Sequence, residues 1–232
     1  MSEPFYLILA VVAAVLLSAA AVYWVCRLLG RRTTKSDLQK KTAASGIRGE
    51  ENLLMDVRRF TRLRHAKILT NLYVRGNNGR MTEVDLVLLD RNGIFVFESK
   101  NYNGAVYGEE QNREWLHVLR NGDRFNFYNP IWQNRGHISA VRRLCDGLDP
   151  EYFKSIIVFG KNCVFKKLRV HNSDCMIVKA GGAARAFRVL GRNTKNALSW
   201  RDIQDYYDRL LPYSRSTKRM RRQHAREVRK RK

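Results

Sequence analysis

Residues 83–101, EVDLVLLDRNGIFVFESKN, contain two strongly apolar runs on either side of the polar turn DRNG. Two such runs around an Asn-Gly turn are typical of a β-hairpin, and strands this apolar are expected to be buried. Three charged residues nevertheless lie within the runs: Asp85, Glu98 and Lys100. The segment therefore predicts a sheet core that holds charged side chains.

The side chains of a strand alternate between its two faces. If DRNG forms a four-residue loop, Asp85 opposes Glu98, whereas a two-residue type I′ turn at Asn92-Gly93 would place Asp85 opposite Lys100. Both registers bring the three charged groups to one face. Directly opposed Cβ atoms lie about 5 Å apart.

Two carboxylates at this separation repel each other unless a cation lies between them. Lys100 is one candidate cation, and its contact with Glu98 would then be a structural ion pair. A divalent metal ion is the other candidate, because Mg²⁺ binds through one or two carboxylates and keeps several waters. A bound ion would activate water and stabilise the charge of a phosphodiester transition state.

Hydrophobic periodicity predicts a mixed α/β domain rather than a regular βαβ series. The predicted helices cover residues 46–60, 130–145, 183–190 and 199–211. The predicted strands cover residues 67–74, 82–89, 93–100, 103–108, 114–120, 123–129, 155–160 and 175–180. The segment KNCVFKKLR, residues 161–169, is interpreted as a basic loop beside a strand.

Residues 5–26, FYLILAVVAAVLLSAAAVYWVC, contain no charged residue. Their length as a helix, about 33 Å, exceeds the hydrocarbon core of about 30 Å. A retained transmembrane helix is predicted over residues 5–29. A cleaved signal peptide is the alternative, but it would have a basic start and a shorter apolar run.

Basic residues follow this run directly, while Glu3 is the only residue with a charged side chain before it. The positive-inside rule therefore predicts an N-terminus outside and everything after residue 27 in the cytoplasm. A bacterial inner membrane is the expected membrane. Residues 30–44 are predicted to form a basic juxtamembrane linker or a fraying helix start.

The chain carries 44 Lys plus Arg against 21 Asp plus Glu, a formal net charge of +23. Such an excess indicates a polyanionic partner, either nucleic acid or an anionic membrane surface. Ten of the basic residues lie in the tail 215–232 beside a single Glu. Residues 213–232 are therefore predicted to be a disordered tail that binds nucleic acid or anionic lipid.

The four cysteines have no C-x-x-C spacing: Cys26, Cys145, Cys163 and Cys175. This pattern is not a disulfide framework. A metal cluster of Cys163, His171 and Cys175 would lack a second ligand pair, so buried, reduced thiols are expected.

The charged residues of the hairpin resemble the motif of the PD-(D/E)xK nuclease superfamily. The match is Asp85, a twelve-residue gap, and then Glu98-Ser99-Lys100. Val84 stands where the superfamily's motif usually has proline.

More narrowly, the chain resembles the nuclease-related domain family, NERD. The resembling segments are GIRGEENLL, the hairpin extended to EVDLVLLDRNGIFVFESKNYNGAVYG, Trp115 and NPIWQNRGH. They cover residues 45–160, with a weaker resemblance to about residue 212, so the domain is predicted over residues 45–212.

This resemblance implies a restriction-endonuclease-like core, in which a central mixed sheet is flanked by helices. It implies that Asp85 and Glu98 bind the metal, that Glu50 completes the acidic site, that Lys100 is the catalytic lysine and that Gln133 approaches the site. Mg²⁺ or Mn²⁺ is the expected cofactor.

Each of the less specific positions has an alternative interpretation. Glu50 is also explained as an acid near a helix start, where the helix dipole favours it. Gln133 is explained as a polar residue of a helix start, and His137 as a histidine of the core.

The sequence as a whole favours an enzyme, a membrane-anchored metal-dependent nuclease acting on DNA rather than RNA. The alternative is a catalytically inactive, membrane-tethered protein that binds nucleic acid or serves as a scaffold.

Overall fold

The computed structural model describes Ser18, Ala20 and residues 35–214, apart from Asn172, Asn193, Lys195 and Asn196. Within the long described stretch lie four α-helices: α1 (Lys35–Thr61), α2 (Pro130–Leu144), α3 (Ala183–Gly191) and α4 (Trp200–Ser214). A short 3₁₀ helix covers Pro150–Tyr152. The strands there are β1 (Lys67–Arg75), β2 (Met81–Asp90), β3 (Gly93–Lys100), β4 (Gly104–Glu109), β5 (Glu114–Val118), β6 (Arg124–Tyr128), β7 (Phe153–Phe159), β8 (Cys163–Arg169) and β9 (Cys175–Lys179).

A five-stranded mixed sheet forms the centre, in the order β1-β2-β3-β7-β9. Strands β1, β2 and β3 pair antiparallel, whereas β3, β7 and β9 pair parallel. Every residue of β7 is buried, as expected for a parallel strand covered on both faces. The predicted mixed α/β class is therefore confirmed.

Helices cover both faces of this sheet. One face packs against α1 and α3, through apolar residues that include Leu53, Val57 and Phe187. The other face packs against α2 and α4, through residues that include Val141 and Ile203. Strands β2 and β3 contribute alternate side chains to the two cores, which explains their nearly continuous apolar sequence.

A second sheet, in the order β6-β5-β4-β8, was not predicted as a separate layer. The basic segment 161–169 was expected to be a loop, but it contains β8, which pairs parallel with β4. The register shifts between Val106 and Gly108, so that Phe165 and Leu168 both pack on the core beside this sheet. This bulge breaks the alternation on which strand prediction depends.

The register of the central hairpin agrees with one of the two alternatives. Leu89 pairs with Ile94 and Asp90 pairs with Gly93, so the type I′ turn at Asn92-Gly93 was wrong. Gly93 has a φ of 124°, and a Cβ there would lie 2.3 Å from the carbonyl oxygen of Tyr152. Only glycine fits this position.

Helix α1 starts at Lys35, inside the segment that was predicted to be a basic linker or a fraying helix start. The predicted helix 46–60 lies within α1, on which Leu53 and Val57 are buried while Ile47 is 57% exposed. Gly49 brings the helix close to the end of β3, since a Cβ on it would lie 2.7 Å from Cβ of Asn101.

Within the part of the chain that the structure describes, no helix has the length and apolar character needed to cross a membrane. The predicted span 5–29 lies outside the described residues, apart from Ser18 and Ala20. Residues 30–34 and the basic tail 215–232 also lie outside them.

Candidate active site

Strands β2 and β3 separate at the predicted acidic pair. Their ladder ends where Leu86 pairs with Phe97, and the same register places Asp85 opposite Glu98. Beyond this point, the backbone N–H of Ser99 donates a hydrogen bond to Oδ2 of Asp85 at 2.7 Å. A carboxylate therefore occupies the place of a ladder bond, and the two acids lie together at the opening between the strands.

Glu98 and Lys100 form a mostly buried ion pair. Nζ of Lys100 lies 2.6 Å from Oε1 of Glu98, and their side chains are 15% and 2% exposed. Burial opposes ionisation of Glu98, but Lys100 and His137 outweigh it and lower the pKa of Glu98 to about 2. Burial also opposes the charge of Lys100, whose pKa is nevertheless raised, chiefly by Glu98. Both groups are therefore charged at neutral pH.

The pKa of Asp85 is shifted in the opposite direction from that of Glu98. Half-burial of Asp85 raises its pKa well above the ordinary value, and the charge of Glu98 raises it further. The hydrogen bond from Ser99 and the charge of Lys100 only partly offset these two effects. Asp85 therefore ionises less readily than an ordinary aspartate unless further positive charge approaches.

Helix α2 supplies two polar side chains to this site from positions one helical turn apart. Gln133 accepts a hydrogen bond from Nζ of Lys100 at 2.9 Å. Nδ1 of His137 lies 3.3 Å from Oε2 of Glu98, although the two atoms are not aligned as in a hydrogen bond. On the other side of the ring, Nε2 of His137 lies 3.1 Å from Oγ1 of Thr82.

The start of helix α2 is held rigidly. Asn129 is its N-cap and accepts a hydrogen bond from the N–H of Ile131 at 2.9 Å, and Pro130 begins the first turn. Asn134 ties the helix to the central sheet, because its amide donates to the carbonyl oxygen of Val96 and to Oγ of Ser155. These contacts set the position of the helix face that meets the ion pair.

Glu50 approaches the site from helix α1. Asn71 donates hydrogen bonds of 3.2 Å to both Glu50 and Glu83, and the hydroxyl of Tyr73 donates to Glu83 at 2.6 Å. Half-burial raises the pKa of Glu50, the bond from Asn71 partly offsets this, and the charges of Glu83 and Glu98 add to the rise. Glu50 and Glu83 thus extend the negative region that surrounds Asp85.

Asn71 has an unusual backbone. The β1–β2 register places it opposite Asp85, yet the ladder is interrupted there and Asn71 has a φ of 52°. Asparagine tolerates this left-handed conformation better than most residues. The sheet is therefore irregular on both sides of Asp85, towards β1 and towards β3.

The donor set suits a small, hard cation. The groups that meet at the hairpin are carboxylates, and Mg²⁺ binds through one or two of these. Oε2 of Glu98 is buried and has no hydrogen bond to a described residue. Among the described residues, no three Asp, Glu, His or Cys side chains are grouped to hold a metal ion. Ligation by Asp85, Glu98 and Glu50 together therefore stays a prediction.

The structure thus brings all five predicted residues to one region: Glu50, Asp85, Glu98, Lys100 and Gln133. Their catalytic roles stay predictions.

Sequence reasoning missed three further residues of this region. His137 was interpreted as a core histidine, although its spacing of four residues from Gln133 places both on one helix face. Glu83 lies two residues before Asp85, which in a strand gives them the same face. Asn71 had no sequence signal, because its role depends on a break in strand pairing.

The described cysteines are unrelated to this site. Cys145, Cys163 and Cys175 are buried and free, as predicted. Burial raises the pKa of Cys145 to about 12 and the pKa of both Cys163 and Cys175 to about 11.

The fold and the site define a mixed α/β domain with paired carboxylates and a lysine at the end of its central hairpin. The family model of the nuclease-related domain, NERD, matches residues 45–160, half of the chain. The protein belongs to the NERD family.

A curated relative is an uncharacterized protein of Bacillus anthracis, which is 32% identical over 108 residues. The alignment covers 46% of this chain and 49% of the relative, so the chain spans about half the length of that protein. No solved structure matches the chain.

Proposed function

We propose that this protein is a metal-dependent nuclease that hydrolyses phosphodiester bonds, with DNA as the expected substrate and RNA as the alternative. The observation that carries the proposal is the meeting of Asp85, Glu98 and Lys100 where β2 and β3 separate. Removing these charges from water is costly, and a buried ion pair is weak evidence for stability. Chemistry at the opening accounts for their presence better than packing does.

In this proposal some side chains bind the metal ion or offset negative charge, and others position these groups. Lys100, held by Glu98 and Gln133, would orient the attacking water and offset negative charge that develops on the phosphate. Asp85 and Glu98, with Glu50 as a third acid, would hold Mg²⁺ or Mn²⁺, which when bound supplies Lewis-acid stabilisation of that charge. His137 would keep the carboxylate of Glu98 in place from the side of Oε2, opposite the contact with Lys100.

The proposal includes attachment to a membrane. The support is the uncharged run at residues 5–26 and the basic residues that follow it. We propose that residues 5–29 anchor the chain, with the NERD domain on the cytoplasmic side of a bacterial inner membrane. The tail 215–232 would then bind nucleic acid or the anionic membrane surface.

A second candidate is a membrane-tethered binding or scaffold protein without catalysis. One observation favours it: the ammonium of Lys100 is already bonded to both Glu98 and Gln133. Such a closed network is also compatible with a fold that no longer cleaves its ligand.

Cleavage assays with the full-length protein separate the two candidates. Plasmid, linear duplex, single-stranded DNA and RNA would each be incubated with Mg²⁺, Mn²⁺ or EDTA. The site variants are Glu98→Gln and Lys100→Ala, and their matched controls are Glu151→Gln and Lys166→Ala, which lie outside the site.

Metal-dependent cleavage that is lost in both site variants and retained in both controls is the expected result. Equal cleavage by wild type and site variants would identify a contaminating nuclease. Folded wild-type protein that cleaves none of the substrates would instead favour the binding protein.

A further inference from the structure

A groove of about 900 Å³ opens onto the acidic site. Asp85, Gln133 and His137 line it on the side of the central sheet and helix α2. The β1–β2 turn and the second sheet complete its walls. Its volume falls within the range of about 300–1,000 Å³ that is typical of ligand clefts.

Two aromatic side chains line this groove, Tyr128 at the end of β6 and Trp132 in the first turn of α2. Their rings meet edge to face, with centroids 6.4 Å apart. The indole N–H of Trp132 donates to the carbonyl oxygen of Glu110 at 2.9 Å, which fixes its ring. Tyr128 is 47% exposed, so core packing does not account for its position.

The same groove carries unpaired positive charge. Arg80 from the β1–β2 turn and Arg113 before β5 both line it, and both are exposed. Neither forms an ion pair with a carboxylate in the described part of the chain, in contrast to Arg135 and Arg169. Two exposed guanidinium groups and two aromatic rings therefore line a cleft that leads to Asp85.

We propose that the groove binds a single strand of nucleic acid, with unpaired bases on Tyr128 and Trp132 and phosphates on Arg80 and Arg113. This inference rests on the proposed function and adds the strandedness of the substrate. A base inside a duplex has both faces covered by its neighbours, so an aromatic side chain stacks most readily on an unpaired base. Guanidinium groups bind phosphate oxygens without regard to sequence.

Other aromatic residues near the hairpin are less suited to this role. Tyr102 lies two residues after Lys100, but its ring stacks on His117 at 4.6 Å and meets Phe127 edge to face at 4.9 Å. These contacts engage the ring within the protein. Tyr128 and Trp132 remain the pair that faces the groove.

The test compares binding of a fluorescent single strand of about 12 nucleotides with binding of the matching blunt duplex. Full-length protein would be titrated in EDTA, where cleavage does not interfere, at about 0.2 M salt to weaken contacts of the basic tail. DNA and RNA strands form parallel arms. The variants are Tyr128→Ala, Tyr128→Phe and Trp132→Ala.

Phe125→Ala is the matched control, because Phe125 is an exposed aromatic residue of the same strand that does not line the groove. We expect wild type, Tyr128→Phe and Phe125→Ala to favour the single strand on the order of tenfold. Tyr128→Ala should lose that preference. Trp132→Ala should lose the preference for the single strand too. If the Trp132→Ala protein fails to fold, the result for Tyr128→Ala alone tests the inference.

Equal affinity of wild type for strand and duplex, or a preference unchanged in Tyr128→Ala, would overturn the inference. The result is independent of the cleavage assay. A preference for the single strand without cleavage would support the groove assignment and contradict the nuclease proposal. Cleavage of duplex without this preference would support the nuclease proposal and contradict the groove assignment.

Discussion

Nζ of Lys100 lies 2.6 Å from Oε1 of Glu98, so the two residues form an ion pair that is largely removed from water. Helix α2 supports both partners, Lys100 through Gln133 and Glu98 through His137. The motif at the end of β3 is therefore embedded in a polar network that joins the sheet to a helix. We expect each of its members to affect either stability or catalysis.

Breaking the Glu98–Lys100 pair from either side should destabilise the fold, since the remaining charge stays buried without its partner. We expect Glu98→Gln and Lys100→Met each to lower the free energy of unfolding by about 3 kcal/mol. The double variant should lose clearly less than the sum of the two. Urea denaturation of the four proteins measures this coupling, and strictly additive losses would show that the pair contributes nothing.

The raised pKa of Asp85 predicts a pH-dependent stability. Between the ordinary value and the raised value, the folded protein keeps a proton that the unfolded chain releases, so stability falls as pH rises through this window. Asp85→Asn removes this effect and should stabilise the metal-free protein on the order of 1 kcal/mol at neutral pH. Below the ordinary value the two proteins should converge.

Urea denaturation in EDTA across this pH range tests the expectation for Asp85. The exposed Asp123 provides the control variant, Asp123→Asn. A loss of stability in Asp85→Asn at neutral pH would mean that the ionised carboxylate stabilises the fold.

Metal binding should appear as a thermal shift that depends on the acidic pair. At a Mg²⁺ concentration about 100 times the dissociation constant, a ligand that binds only the folded state adds about 2.7 kcal/mol. We expect the melting temperature of the wild type to rise with Mg²⁺ and that of Asp85→Asn and Glu98→Gln to stay constant. Equal shifts in all three proteins would place the ion elsewhere.

His137 offers a pair of conservative variants that separates its two contacts. In His137→Asn the amide nitrogen takes the place of Nδ1, which faces Glu98, whereas in His137→Gln it takes the place of Nε2, which faces Thr82. If His137 positions Glu98, the Asn variant should keep kcat near the wild-type value. The Gln variant should lose on the order of tenfold in kcat at similar KM.

Steady-state cleavage of one substrate by wild type and both His137 variants measures this effect. Equal losses in the two variants would show that the ring only fills space.

Arg113 should contribute one phosphate contact to single-strand binding. In Arg113→Ala the slope of log K against log salt concentration should become shallower by about 1. Arg124, which is exposed on β6 and does not line the groove, gives the control variant Arg124→Ala. An unchanged slope for Arg113→Ala, or equal changes in both variants, would remove Arg113 from the interface.

Local sequence determined the central hairpin and its charged positions. The apolar runs and the alternation of side chains place Asp85, Glu98 and Lys100 on one face without reference to any distant segment. Hydrophobic periodicity likewise predicted the helix 130–145 that holds Gln133. These features depend only on residues near one another in the chain.

Tertiary structure decided the remaining features, because they depend on segments that are far apart in sequence. Parallel pairing with β4 made the basic segment 161–169 into β8, and the left-handed Asn71 interrupts the ladder opposite Asp85. The contact of His137 with Glu98 and the facing of Tyr128 towards the groove exist only once α2 and the second sheet pack around the hairpin. Periodicity reports which face of an element is buried, but the partner that buries it is chosen by packing.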